Sequence, residues 1–191
     1  MPQFWIVAGP NGVGKTTFAD RYLAPRIPVV SPDAIAARHG AGPIQAGRLA
    51  IIEQDRLLAN GADFAIDTTF SGNRELSLMK KAAQAGYKVN LVFLCVESPS
   101  MCQARIIERV ESGGHDVPPN DVARRYDRSL ANLHMAIGLA ERTFVLDNTG
   151  IKQRLLLSYE HGTIRHLSNN LPSWAKGAVP AELLRSRALF R

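Results

Sequence analysis

The sequence predicts an α/β fold of three layers, a mostly parallel five-stranded sheet with helices on both faces. Three observations predict it. Short apolar runs alternate with helical patterns, as when strands of a parallel sheet are joined by crossing helices. The run LVFLCV, at 91–96, is apolar throughout, as in a strand buried on both faces. Gly61 and Gly86 stand where helices should stop, and Pro99 and Pro119 where helices should begin.

In chain order the strands are read near 4–8, 28–31, 64–68, 88–96 and 142–147, and the helices near 15–23, 33–38, 44–59, 73–85, 99–111 and 119–140. Beyond Gly150, RLLLSYEHGTIRHL reads as a β-hairpin around His161 and Gly162, followed by a short C-terminal helix. A chain of 191 residues, 46% hydrophobic, suits one domain over 1–191. Its core would span 3–150, with a lid near 112–128 and the hairpin and helix at 151–191. No apolar run approaches the ~20 residues of a membrane span, and MPQFWIVAG lacks the basic start of a signal peptide. Cys95 and Cys102 have neither CxxC spacing nor histidine partners, so they read as reduced structural cysteines of a cytoplasmic protein. The net charge of +6 would fit nucleic acid, but no basic run carries interleaved aromatics. Anionic small substrates fit it better.

The first strand runs straight into GPNGVGKTT, residues 9–17. Gly9, four residues, then Gly14, Lys15 and Thr16 is the spacing of a phosphate-binding P-loop. Gly9, Pro10, Asn11, Gly12, Val13 and Gly14 would wrap backbone N–H groups around phosphate oxygens. Thr16 and Thr17 open a helix whose N-terminus favours anions. Lys15 supplies a charge for the β- and γ-phosphates of ATP, and the Thr16 hydroxyl is the expected Mg²⁺ ligand.

Other motifs choose among P-loop chemistries. The chain lacks the Asn-Lys-x-Asp of a GTPase. FVLDN ends in Asn148 where an ABC-type ATPase would place its water-orienting glutamate. A small-molecule kinase needs a base, an acceptor pocket and arginines for the transferring phosphoryl group. Asp33, in VVSPDAI, follows a strand and is the candidate base; the alternative is a helix-capping role beside Ser31. Asp67, Thr68, Thr69 and Ser71, in FAIDTTFSG, suit a polyhydroxyl acceptor or Mg²⁺ held through water, or else form an ordinary polar turn. In ESGGHDVPPNDVARRYDRSL a glycine hinge precedes a helix with Val122, Tyr126, Leu130, Leu133 and Ile137 on one stripe. Arg124 and Arg128, with Arg125 beside them, would reach the phosphates as the lid closes; otherwise they pair with Asp121 and Asp127 on a solvated face. Arg105 and Arg109 rank behind them, because Glu108 and Glu111 can neutralise both, and His115 has no assigned role.

Taken together, IVAGPNGVGKTTFA, SPDAIA, QAGRLA, FAIDTTFSG, AGYKVNLVFL, ESGGHDVP, RRYDRSLANL and VLDNTG resemble the zeta toxin family of P-loop kinases across residues 4–150. The resemblance implies ATP and Mg²⁺, and UDP-N-acetylglucosamine as an acceptor phosphorylated on a sugar hydroxyl. It implies that Lys15 holds phosphates, Asp33 is the base and Arg124 and Arg128 are lid arginines. It also puts the loop at Asn148 near adenine, Arg48 and the DTT stretch with the acceptor, and an antitoxin protein among the partners. Two departures touch the acceptor: Asp67 stands where the family commonly has glutamate, and Glu53 is out of register with the family's acidic helix residue. The reading is therefore a kinase for a nucleotide sugar. A kinase for another hydroxylated metabolite, or a non-catalytic ATP-binding module recognising RNA or protein, are its alternatives.

Overall fold

The structure is a computed structural model that describes residues 1–114 and 116–185. His115, and the part of the expected C-terminal helix at 186–191, lie outside the described residues. The chain runs β1 (Gln3–Ala8), α1 (Lys15–Tyr22), β2 (Val29–Val30), α2 (Pro32–His39), α3 (Pro43–Ala59), β3 (Phe64–Thr68) and α4 (Arg74–Gln84). It continues with β4 (Lys88–Cys95), α5 (Pro99–Glu111), α6 (Pro119–Ile137), β5 (Arg142–Asp147), β6 (Arg154–Glu160), β7 (Thr163–Leu167), α7 (Ser173–Ala178) and α8 (Ala181–Arg185).

These strands form one sheet in the order β2-β3-β1-β4-β5-β6-β7. The first five are parallel. The chain steps out from β1 to β2 in one direction and returns through β3 to β4 and β5 in the other. Right-handed crossovers therefore place helices on both faces. β1 lies between β3 and β4, where the path reverses, and the crevice at its carboxyl end is where such sheets bind ligands.

The sequence expectation of five strands with a separate hairpin is corrected here: the sheet has seven strands and is mixed. The hairpin does form, with His161 (φ 47°) and Gly162 (φ 79°) at its turn. It then pairs antiparallel with β5, Val145 opposite Leu157 and Thr143 opposite Tyr159. The cause is edge coverage. β5 would otherwise leave a row of unpaired backbone groups, and β6 satisfies them while burying Leu156 and Leu157. The C-terminal segment is also part of the core. Trp174, Ala175 and Ala178 of α7 are buried, with the Trp174 ring 6.4 Å from that of Phe93. Among the described residues no helix is long and apolar enough to cross a membrane.

One polar contact within the core organises the turn that precedes β3. Phe4 stacks on Phe64 at 4.7 Å, and Tyr87 meets Phe64 edge-on. That places the Tyr87 hydroxyl 3.1, 3.2 and 3.0 Å from the carbonyls of Leu57, Leu58 and Ala62, at the end of α3. A helix leaves its last carbonyls without intrahelical donors, and here one buried phenol is shared by two of them, Leu57 and Leu58, and by Ala62 in the turn that follows. Tyr87→Phe keeps the ring and removes the donor. It should lower unfolding free energy by about 1–3 kcal/mol in a urea titration, with far-UV circular dichroism unchanged.

Candidate functional site

The loop between β1 and α1 is held by close backbone contacts that only glycine permits. At Gly9 (φ 139°) an added Cβ would lie 1.9 Å from the Leu94 carbonyl oxygen, and at Gly12 (φ 73°) 2.7 Å from that of Cys102. The loop thus rests directly on the end of β4 and on α5. Asn148, just past β5, ties it from the other side. Its backbone N–H donates to the Cys95 carbonyl (2.8 Å) and its Nδ2 to the Val13 carbonyl (2.8 Å).

Lys15 opens α1 and is buried, its ammonium donating to the Pro10 carbonyl at 2.9 Å. Burial pulls its pKa below the usual lysine value, against the opposing pull of Asp67 and Asp33. The Thr16 hydroxyl donates to Asp67 Oδ2 at 2.7 Å, which joins the helix to the carboxyl end of β3. Burial also pushes the Cys102 thiol up to about 11 and raises that of Cys95. Both are free thiols that stay protonated, so neither is a nucleophile here.

After β3 the chain turns under strain. Phe70 is fully buried yet has φ 57°, which costs a side-chain-bearing residue about 1–2 kcal/mol. Three contacts hold it there. The Phe70 N–H donates to the Thr68 hydroxyl, and Asn132 of α6 donates to the Phe70 and Gly72 carbonyls at 2.9 and 2.8 Å. The Thr68 hydroxyl in turn donates to Glu75 Oε1 at 2.8 Å, and Thr69 bonds Ser71 at 3.0 Å. Strain overdetermined in this way clusters at functional sites.

These elements enclose a cleft of about 420 Å³. It brings together Lys15, Thr16, Asp33, Asp67, Thr68 and Thr69, with Asn11 and Gly12 of the glycine loop. Ser31 makes no side-chain capping bond, and Asp33 lies in the first turn of α2, on the cleft wall. Gly14, Thr17 and Asn148 border a second cavity of about 590 Å³ with Phe18, Tyr22 and Lys152. The remaining sequence candidates stand apart. Arg48 is exposed on α3, in a separate depression beside Gln45. Ser71 reaches the cleft only through Thr69.

The arginines differ from the sequence reading. Arg124 turns to Asp121 (2.8 Å), and neither Arg124 nor Arg128 lines the cleft. Arg125 and Arg109 do. The cause is helical phase. The buried face of α6 carries Val122, Tyr126, Ser129 and Leu133, so Arg125, at its margin, meets Asn11 Oδ1 at 3.4 Å, while Arg124 and Arg128 are exposed. Residues 119–128, read as part of a lid, are the first half of this packed helix. Sequence reasoning also missed Glu75 and Asp116, which complete the wall. The spacing of Glu75 from Asp67, across a turn and into α4, offered no periodic signal.

Residues 4–133 match the family model described as AAA domain. A protein of Haemophilus influenzae described as uncharacterized is 32% identical over 123 residues, 62% of this chain and 88% of that protein. Among solved structures, a complex of AvrRxo1-ORF1 and ORF2 with ATP superposes with a TM-score of 0.71 at 16% identity, over 97% of this chain. This chain spans 63% of that one. A structure from the PezAT chromosomal toxin-antitoxin system of Streptococcus pneumoniae gives 0.64 at 14% identity, covering 99% of this chain and 85% of its own. At these identities the likeness concerns the fold.

Two glycines separate steric from conformational cost. Gly9→Ala must displace the Leu94 carbonyl and should cost about 3 kcal/mol or more in denaturant unfolding. Gly40 is left-handed (φ 62°) with open space around it, so Gly40→Ala should cost only about 1–2 kcal/mol. Equal losses would show that the contact at Gly9 is not a constraint.

Proposed function

The chain belongs to the AAA-domain family that its residues 4–133 match, and from that premise we propose that it transfers the γ-phosphoryl group of ATP to a hydroxyl of a small molecule. One observation carries the proposal. The buried lysine of the glycine loop, a threonine hydroxyl bonded to a carboxylate, and a second carboxylate, Asp33, face one cleft. A module that only bound ATP would have no use for Asp33 there.

The glycine loop and Lys15 hold the β- and γ-phosphates. Lys15 is already desolvated, so its charge acts at low dielectric with little reorganisation. Arg125, bonded to Asn11 of the loop, and Arg109 balance the charge that spreads over the γ-phosphoryl oxygens. Arg124 and Arg128 would need α6 to turn before they could contribute. The acceptor hydroxyl attacks phosphorus, an O–P bond forms, the bridge to the β-phosphate breaks and ADP leaves. Asp33 takes the hydroxyl proton. The Thr16 hydroxyl and Asp67 carboxylate, 2.7 Å apart, are the hard oxygen donors that Mg²⁺ takes. Bound there, the ion would neutralise phosphate charge. The second cavity, bordered by Asn148, Thr17, Phe18 and Tyr22, suits the nucleoside.

UDP-N-acetylglucosamine is the acceptor implied by the zeta toxin resemblance. The two-protein systems named for the structural neighbours support seeking a partner protein, such as an antitoxin. Incubating the chain with γ-labelled ATP and a metabolite extract tests the transfer itself. Label should enter an acid-stable organic phosphate, and release of inorganic phosphate alone would refute the proposal.

Asp33→Asn is nearly isosteric and cannot accept a proton. It should lower kcat by about 10²–10⁴-fold with ATP affinity and Tm close to wild type. A mutant that turns over normally would remove Asp33 from the mechanism.

The arginines separate as sharply. Arg125→Ala should lower kcat by about 10²-fold or more, whereas Arg128→Ala should stay within about twofold of wild type. The reverse order would mean that α6 rotates in the reacting complex.

A further inference from the structure

We infer that the acceptor is a neutral or amine-bearing hydroxylated molecule that carries no phosphate of its own, an inference that rests on the kinase reading above. The distribution of charge within the cleft is what carries it. Its cations are Lys15, Arg109 and Arg125. All three belong to the ATP end. Lys15 is in the phosphate loop, Arg125 bonds Asn11 of that loop, and Arg109 is close enough to Lys15 to depress its pKa. ATP brings enough negative charge to engage all three.

Beside the apolar Pro32, Pro43, Val117 and Pro118, the side chains left on the wall are acidic or hydroxylic. Asp67 is engaged with Thr16. Asp33, Glu75 and Asp116 line the same cleft with Thr68 and Thr69, and among the described residues no further lysine or arginine lines it. Arg48, which the zeta toxin resemblance puts with the acceptor, lies outside the cleft. A nucleotide diphosphate placed here would meet three carboxylates with the available cations already taken, a like-charge juxtaposition of the kind that rejects a partner. Carboxylates and threonine hydroxyls recognise O–H and N–H donors instead.

Glu75 is the residue most committed to that task. Its Oε1 accepts a hydrogen bond from the Thr68 hydroxyl, whose oxygen already accepts from the Phe70 N–H and keeps one lone pair for a ligand donor. Its Oε2 is buried with no donor among the described residues. A buried carboxylate oxygen left without a donor is costly, and an acceptor bearing O–H or N–H groups could supply it after a small side-chain rotation. Glu75 is therefore a positioning residue for the acceptor.

The test separates this inference from the kinase reading. A metabolite extract is split by ion exchange at neutral pH into anionic, neutral and cationic fractions, and each is incubated with the full chain, Mg²⁺ and γ-labelled ATP. Label should enter an organic product in the neutral or cationic fraction, and purified UDP-N-acetylglucosamine should remain unlabelled. Transfer confined to the anionic fraction, or to UDP-N-acetylglucosamine, would overturn the inference and leave the kinase standing. No transfer in any fraction would overturn both. With the labelled acceptor in hand, Glu75→Gln should raise its KM by about tenfold with the KM for ATP unchanged. An unchanged acceptor KM would remove Glu75 from acceptor binding.

Discussion

The Thr16–Asp67 hydrogen bond joins the first turn of α1 to the carboxyl end of β3, and the cleft depends on it. Thr16 follows the loop that leaves β1, and Asp67 sits near the end of β3, with Val7 opposite Asp67 and Ala8 opposite Thr68 in the parallel register. A slip of one residue between these strands would turn Asp67 to the other face of the sheet and bring Thr68 in its place. Register on this side of β1 is fixed by the core. Phe4 stacks on Phe64, and Ile6 and Ile66 are opposite each other and buried. Apolar packing at one end of two strands therefore sets a polar contact at the other.

The same arrangement explains how a lysine can stay buried. Burial alone disfavours its charge, and Asp67 and Asp33 oppose that without cancelling it. The ammonium leans on the Pro10 carbonyl of its own loop. In the proposed reaction, phosphate oxygens entering the loop would supply negative charge beside this ammonium, and a cation already fixed there does not have to be gathered from solvent.

The parts of this architecture legible in the sequence were those fixed by local chemistry. The glycine spacing at 9–14 marked a loop, because only glycine tolerates the backbone approach to Leu94 and Cys102. The continuous apolar run of β4 marked a strand buried on both faces, and all of 91–96 is buried. His161 and Gly162 marked a turn for the same local reason. What the sequence concealed was long-range. Nothing in RLLLSYE states that β6 will pair with β5, because either edge of a hairpin can take a partner. Nor does a four-residue spacing decide which arginine faces a cleft. That phase follows from the whole apolar stripe of α6, and Arg125, next to Tyr126, is the one at its margin. Glu75 was hidden because its link to Thr68 crosses a strained turn that no pattern announces.

Helix α6 gives the two halves of the cleft a common support. Tyr126 pins it to the sheet, its hydroxyl donating to the Val96 carbonyl at 2.8 Å just beyond β4. One position earlier, Arg125 meets the glycine loop; two turns later, Asn132 holds the 70–72 turn that follows Thr68 and Thr69. The buried face between them packs as one surface, so these contacts cannot shift independently without opening the core. A displacement of α6 large enough to move Arg125 relative to Asn11 would also pull on the Phe70 carbonyl, where the backbone is already strained. The helix thus couples the geometry at the glycine loop to the geometry of the threonine pair.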